Sequence, residues 1–312
     1  MVIALQLGWP AVSKEEGRRP IGVALVRRLI ASQFPQWADL PIRPVTPGGW
    51  DNRTFRLGED MMVRLPSAER YVAQVEKEQR WLPKLAPQLP LPVPEPIVMG
   101  RPGEDYPRPW SVYRWIEGQP ADRATIADMA EFAGSLGAFL VALRQADSKG
   151  APQAGHHNFF RGGDLKVYAA ETEAAIAVLG TKVDQTACRT IWRAAVSSRW
   201  QDAPVWVHGD VSAGNMLVRA GRLAAVIDFG SSAIGDPACD LSIAWTFCDA
   251  ASRAAFRRAI GLDRACWARG RGWALWKALI VMAGRSDGAD EEWAMKAVSE
   301  IMADHAREHA QR

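Results

Sequence analysis

The residues whose types and spacing carry the most chemistry lie in one stretch of the second half of the chain. A β-prone run, PVWV, leads into His208-Gly209-Asp210. Asn215 follows Asp210 by five residues, and a second β-prone run, LAAVI, ends eighteen residues after Asp210 in Asp228-Phe229-Gly230. Strand ends are where functional groups usually sit, because a rigid element fixes a side chain that the loop leaves accessible. Two carboxylates and a carboxamide brought together there suit a hard divalent cation. Mg²⁺ takes one or two protein oxygens and leaves its other positions to water and phosphate. The remaining carboxylate is then available to handle a proton.

These residues need a scaffold, and the hydrophobic pattern supplies one. Ile21 to Phe34 has the apolar period of a helix, stopped by Pro35. Ile42 to Leu65 changes to short extended runs around two turns, GGWDN and Gly58-Glu59-Asp60, which reads as three antiparallel strands. Glu69 to Leu85 is helical again and gives way to a proline-rich connector, PQLPLPVPEP. Two more candidate strands follow, Pro96 to Gly100 and Trp110 to Ile116. Strands become rare after Gly118. Helical periods run from Ile126 to Leu143, Leu165 to Leu179 and Thr186 to Trp200, and from Pro237 to His309 the chain reads as successive helices. The expected architecture is α+β, with a small sheet-containing part over residues 1–117 and a mostly helical part over 118–312.

Composition narrows the function further. The 312 residues are 48% hydrophobic and 23% charged, as in a globular protein, and 38 Lys+Arg against 35 Asp+Glu leave a formal charge of only +3. The two signs are interspersed, so neither a nucleic-acid stripe nor a membrane-surface patch is expected. The four cysteines form no C-x-x-C pair and read as buried thiols of a reducing cytoplasm. The opening MVIALQLGWP lacks the basic start and cleavage site of a secretory signal, and no later apolar run reaches the roughly 18–20 residues of a membrane span.

The loop H-G-D-x-x-x-x-N followed by I-D-F resembles that of the aminoglycoside phosphotransferase family, and the likeness of motifs runs from about Pro44 to Asp240. Protein kinases carry Arg where Gly209 stands, so the glycine favours small-molecule acceptors. The resemblance implies a two-lobed protein-kinase-like fold with a hinge near residues 113–118. It implies an ATP- or GTP- and Mg²⁺-dependent kinase that phosphorylates a hydroxyl of a small molecule. An aminoglycoside or other antibiotic is one acceptor class, with antibiotic resistance as the role. An endogenous metabolite of the homoserine, choline, methylthioribose or sugar type is the alternative, and a nucleotide-binding pseudoenzyme is a third reading.

Carried over by position, Asp210 becomes the catalytic base, and Asn215 and Asp228 the metal-holding pair. Gly48, Gly49 and Asn52 belong to the turn covering the phosphates. Arg64, where Lys is common, pairs with Glu78 beside the nucleotide, and the backbones of Arg114 and Ile116 meet adenine. His208 is expected to shape its loop, Asp236 to cap a helix and Asp240 to brace the HGD turn. Asp249, Asp287, Asp290, Glu291 and Glu292 are candidate receptors for a polycationic acceptor. The HHNFF segment with Arg161 is a candidate wall of the acceptor pocket, and one or two of the C-terminal tryptophans a candidate floor.

Overall fold

A computed structural model describes residues 21–46, 48–49, 51–285 and 290–310. The N-terminal MVIALQLGWP stretch, Trp50 of the GGWDN turn and Asp287 therefore lie outside the described residues.

Helix α1 (Val23–Gln33) buries Leu25, Val26, Leu29 and Ile30, the apolar stripe of its sequence, against a five-stranded antiparallel sheet. The sheet is built from β1 (Ile42–Pro44), β2 (Asn52–Leu57), β3 (Met61–Pro66), β4 (Pro96–Gly100) and β5 (Trp110–Arg114), in the order β1-β2-β3-β5-β4. Helix α2 (Val72–Leu85) sits between β3 and β4 in sequence, preceded by a 3₁₀ turn over Glu69–Tyr71. Leu57, Val63, Leu65, Trp110 and Val112 are buried on the sheet face beneath α1. By contrast Trp81, Leu82 and Leu85 of α2, and Tyr113 of β5, join the core of the helical part, so α2 ties the two parts together.

A two-residue strand, β6 (Gln119–Pro120), opens the second part. Helix α3 (Met129–Gln145) follows, then α4 (Ala169–Leu179), α5 (Gln185–Val196) and the strands β7 (Val205–Val207), β8 (Met216–Arg219), β9 (Arg222–Val226) and β10 (Ala233–Gly235). Helices α6 (Ile243–Thr246), α7 (Ala250–Ile260), α8 (Arg264–Met282) and α9 (Glu291–Ala310) complete the chain. The fold is α+β and kinase-like: an antiparallel sheet with helices, then a mostly helical part.

The sequence pattern misplaces several boundaries. The helix expected from Ile126 begins at Met129, because the Asp128 carboxylate accepts the N–H groups of Ala130 and Glu131 at 2.8 and 3.1 Å and caps it there. The helix expected to reach Trp200 stops at Val196, and Leu165–Tyr168 is a 3₁₀ turn ahead of α4. Strands β6 and β10 escape a pattern reading because two or three residues show no alternation. Both matter to the site. β6 pairs with β8 and β10 with β7, so each motif-bearing strand has a neighbour.

Candidate active site

The HGD turn leaves β7 through a glycine that only glycine can fill. Gly209 has φ +82°, and a Cβ there would lie 2.4 Å from the Ser231 carbonyl oxygen. Asp240 braces the turn as expected, accepting the N–H groups of His208 and Gly209 at 2.8 Å each. The buried His208 ring accepts the Asp210 N–H on Nδ1 at 3.2 Å, which leaves its Nε2–H to donate to the Ile227 carbonyl at 3.0 Å. It also packs edge-on against Phe229 at 4.7 Å. These contacts fix the ring, so His208 shapes the loop.

One backbone bond brings the expected metal pair together. Ile227 donates its N–H to the Asn215 carbonyl at 2.9 Å, which sets Asn215 beside the residue that precedes Asp228. The Asn215 amide nitrogen donates to the Asp210 carbonyl oxygen at 2.9 Å and to its Oδ2 at 3.0 Å, so Asn215 touches the base candidate as well. Asp228 adopts a left-handed backbone, φ 66°, which Asp tolerates better than most residues. The hairpin of β8 and β9 thus carries Asn215 at its start and Asp228 just beyond its end. Asn215 thus touches Asp210 directly and Asp228 only through the hairpin backbone, and all three carry hard oxygen donors, the chemistry that Mg²⁺ takes.

From the other side, Arg64 reaches out of β3. Its Nη1 lies 3.3 and 3.2 Å from the two Glu78 oxygens, and its Nη2 lies 3.1 Å from Asp228 Oδ1. Tyr113 Oη donates to Glu78 Oε2 at 2.5 Å, and the Tyr113 ring has the guanidinium 5.6 Å from its centroid. Burial alone would push the Asp228 carboxyl up, but the Arg64 charge and hydrogen bond, helped by His208, hold it below the usual carboxylate range. A guanidinium can span two carboxylates in this way because its donors diverge in a planar fork, which an ammonium lacks. The pairing of Arg64 with Glu78 is as expected; the bridge to Asp228 is not legible in the sequence, since the two residues lie 164 positions apart.

The remaining expected residues fall as follows. Asn52 is the buried first residue of β2, and Gly48 and Gly49 precede it in an exposed turn. A Cβ on Gly49 would meet the Asn52 carbonyl oxygen at an ordinary 3.5 Å, so the fold itself does not demand glycine there. Arg114 ends β5, and its N–H is already given to the Glu95 carbonyl at 2.9 Å, which removes it as a donor to a base. Ile116 follows in the stretch without regular structure between β5 and β6.

Several residues near the site were missed. Asp51, at the end of the glycine turn, accepts from Gln74 Nε2 at 3.2 Å. Burial and then the Asp228 charge push its carboxyl up to about 6, against bonds from Gln74 and Tyr71. Gln74 in turn packs on Gly230, where a Cβ would lie 2.6 Å from Gln74 Oε1. Lys77 Nζ lies 3.4 Å from His157 Nδ1, linking α2 to the HHNFF loop, and burial lowers its ammonium to about 8. The signal for these was the helix face itself: Gln74, Lys77 and Glu78 are polar yet buried along α2.

Three of the acids expected to receive a polycation have partners within the fold. Asp249 caps α7, accepting from Ser252 N at 2.8 Å and from its hydroxyl at 2.6 Å. Asp290 accepts the Glu292 N–H at 2.9 Å, and Glu291 pairs with Lys182 at 3.6 Å on the surface. Asp236 caps the turn after β10, as expected, and holds Arg269 at 2.6 Å. Among the described residues, no helix is long and apolar enough to cross a membrane.

With this geometry in place, the chain can be set beside known proteins. Sequence comparison with curated proteins gives no significant match. Among solved structures, the GDP and kanamycin complex of APH(2")-IIIa superposes with a TM-score of 0.70 at 19% identity, over 90% of this chain and 98% of that one. The macrolide 2'-phosphotransferase MphH from Brachybacterium faecium, an apoenzyme, superposes with a TM-score of 0.58 at 23% identity, over 88% and 97% of the two chains. The streptomycin–ATP–APH(2")-IIa ternary complex does so with a TM-score of 0.55 at 19% identity, over 91% and 97%. At such identities these likenesses establish the fold. The profile of the phosphotransferase enzyme family matches residues 42–273, and the chain therefore belongs to that family, as a nucleotide-dependent small-molecule kinase acting on a hydroxyl group.

Proposed function

We propose that the protein transfers the γ-phosphoryl group of ATP or GTP, with Mg²⁺, to a hydroxyl of a small molecule held against Asp210. The observation that carries this reading is the bond from Ile227 N–H to the Asn215 carbonyl, which sets Asn215 beside Asp228 while its amide touches Asp210. The acceptor oxygen attacks the γ-phosphorus, its proton passes to the Asp210 carboxylate, and the bond from γ-phosphorus to the bridging oxygen breaks to release ADP or GDP. Little covalent work falls to the protein in such a transfer, and positioning and charge supply most of the catalysis.

Asn215 and Asp228 are the residues that would hold the Mg²⁺, whose positive charge offsets the phosphate oxygens when it is bound. Arg64 orients Asp228 and keeps further guanidinium donors for phosphate. Gly48, Gly49 and Asn52 cover the phosphates, Glu78 fixes Arg64, and Ile116 with the Arg114 carbonyl meets the base. The same proposal divides the chain into a nucleotide lobe, 1–117, and a catalytic lobe, 118–312. It also places the protein in the cytoplasm, where its four buried free thiols would stay reduced. All three catalytic positions are kept, which favours an enzyme over a pseudoenzyme.

The test is a Mg²⁺-dependent phosphorylation screen with ATP and GTP against aminoglycosides, macrolides and hydroxylated metabolites, read by mass spectrometry. A product that has gained one phosphoryl group is expected. Nucleotide binding without transfer to any acceptor would contradict the reading.

A further inference from the structure

Four side chains form one line from β5 to Asp228. Tyr113 of β5 donates its hydroxyl to Glu78 Oε2 of α2 at 2.5 Å, Glu78 accepts from Arg64 Nη1 of β3, and Arg64 Nη2 donates to Asp228 Oδ1 at 3.1 Å. Period-two alternation turns Tyr113 toward α2, while its neighbour Val112 packs under α1. Ser111, on the same face as Tyr113, accepts from Gln79 Nε2 at 3.0 Å, so two consecutive residues of α2 are each tied to β5. The Tyr113 ring is 1% exposed and lies against the guanidinium at 5.6 Å, and this packing fixes where the hydroxyl oxygen sits.

The bonds along this line are unequal. Glu78 approaches Tyr113 to 2.5 Å but stands 3.3 and 3.2 Å from the Arg64 nitrogen, longer than the about 2.7–2.9 Å at which a guanidinium usually meets a carboxylate. Both Glu78 oxygens also share a single nitrogen, Nη1, where an unconstrained pair would lay two oxygens along two nitrogens of the fork. Glu78 is thus drawn toward Tyr113 and held off the full fork, and Nη2 is left for Asp228. Little water reaches either group, since the Arg64 and Glu78 side chains are 10% and 4% exposed. Burial, and then the Glu78 charge, hold the Tyr113 hydroxyl well above its ordinary range, so it stays a donor at neutral pH.

We propose that Tyr113 is a positioning residue for the metal site: by engaging one oxygen of Glu78, its hydroxyl keeps that carboxylate from taking two nitrogens of the Arg64 fork, and so keeps Asp228 paired with Arg64 in the position from which it would hold Mg²⁺. This rests on the phosphotransferase reading for what Asp228 holds, and on the contacts alone for the bridge. Without the hydroxyl, Glu78 turns its freed oxygen to Arg64, Nη2 follows it, and Asp228 loses that contact.

The test is Tyr113→Phe, which keeps the ring and its packing and removes the hydroxyl alone. In crystals of the metal- and nucleotide-free variant, Glu78 takes two nitrogens of the Arg64 guanidinium, and Nη2 is no longer within hydrogen-bond reach of Asp228. An unchanged bridge from Arg64 to Asp228 would overturn the proposal. This readout depends on no activity.

A second measurement titrates Mn²⁺ into the ADP-saturated protein and follows its electron paramagnetic resonance signal. Tyr113→Phe raises the Mn²⁺ Kd about 3- to 10-fold, the effect of one hydrogen bond, while the ADP Kd measured in EDTA stays at the wild-type value. In a Glu78→Ala background, where Tyr113 has no carboxylate to hold, the same substitution changes nothing further. A Mn²⁺ Kd that ignores Tyr113→Phe, or one that rises equally with and without Glu78, would overturn the proposal. Wild-type protein that takes up no Mn²⁺ with ADP counts against the phosphotransferase reading, and the crystal structure then decides by itself whether Tyr113 holds the bridge from Arg64 to Asp228.

Discussion

Two arginines, one on a strand of the sheet-containing part and one in a loop of the helical part, have surroundings that differ in kind. Arg64 is enclosed by Glu78, Asp228 and Tyr113, with carboxylate oxygens on two sides of its guanidinium. Arg161 rests on two indole faces beside a lysine, with its backbone held by Asn158. The first arrangement satisfies itself and holds Asp228 in position. The second holds its guanidinium on aromatic faces rather than between carboxylates. Breaking the first should therefore cost more stability than breaking the second.

Arg64→Ala gives the largest expected stability loss, about 3–5 kcal/mol in denaturant midpoints, because it strands two carboxylates that are at least partly buried. A loss below about 1 kcal/mol would mean that the trio does not hold the lobes as described. Arg161→Ala removes cation–π contacts that contribute about 0.5–2 kcal/mol, so its unfolding midpoint should fall clearly less than that of Arg64→Ala. An equal fall in both variants would erase the distinction between the two arginines.

A pH effect sharpens the sheet-lobe side. The Asp51 carboxyl is pushed up to about 6 from 3.8, so the folded state prefers it protonated. That contribution to stability is present below pH 3.8 and is lost as pH rises through about 6, above which the ionised group is a cost. In protein free of Mg²⁺ and nucleotide, Asp51→Asn should melt above wild type at pH 8, with the gap closing toward pH 4. A gap that is the same at both values would show that Asp51 is not crowded by Asp228 and Asp210. The smallest effect is expected on the surface. Glu173→Ala, which removes the exposed pair with Arg189, should change stability by no more than about 1 kcal/mol in thermal melts.

The stretch from His208 to Gly230 was legible in the sequence because its polar residues sit at strand ends, at fixed offsets, in one continuous run. Asp210, Asn215 and Asp228 need only the short β8–β9 hairpin to meet, and a hairpin is a local structure. Arg64 and Glu78 are likewise separated by one turn and part of a helix. The surroundings of Arg161 were not legible in the same way. Arg161, Tyr168 and Trp276 come from a loop, a 3₁₀ turn and a late helix, and no spacing rule relates a loop arginine to an indole more than a hundred residues on. Helix caps misled in the other direction. Asp249 and Asp290 look like acids awaiting a ligand until their hydrogen bonds to nearby backbone N–H groups are seen, and Asp128 moved a helix start by three residues for the same reason.

We propose that Asp210 takes the acceptor proton in a site that Asn215 and Asp228 complete. The most direct test compares wild type with Asp210→Asn in single-turnover phosphoryl transfer, alongside the nucleotide Kd of each. Transfer is expected to be slower by about 10²- to 10⁴-fold in the variant, with the nucleotide Kd nearly unchanged. Transfer by Asp210→Asn at the wild-type rate would contradict it.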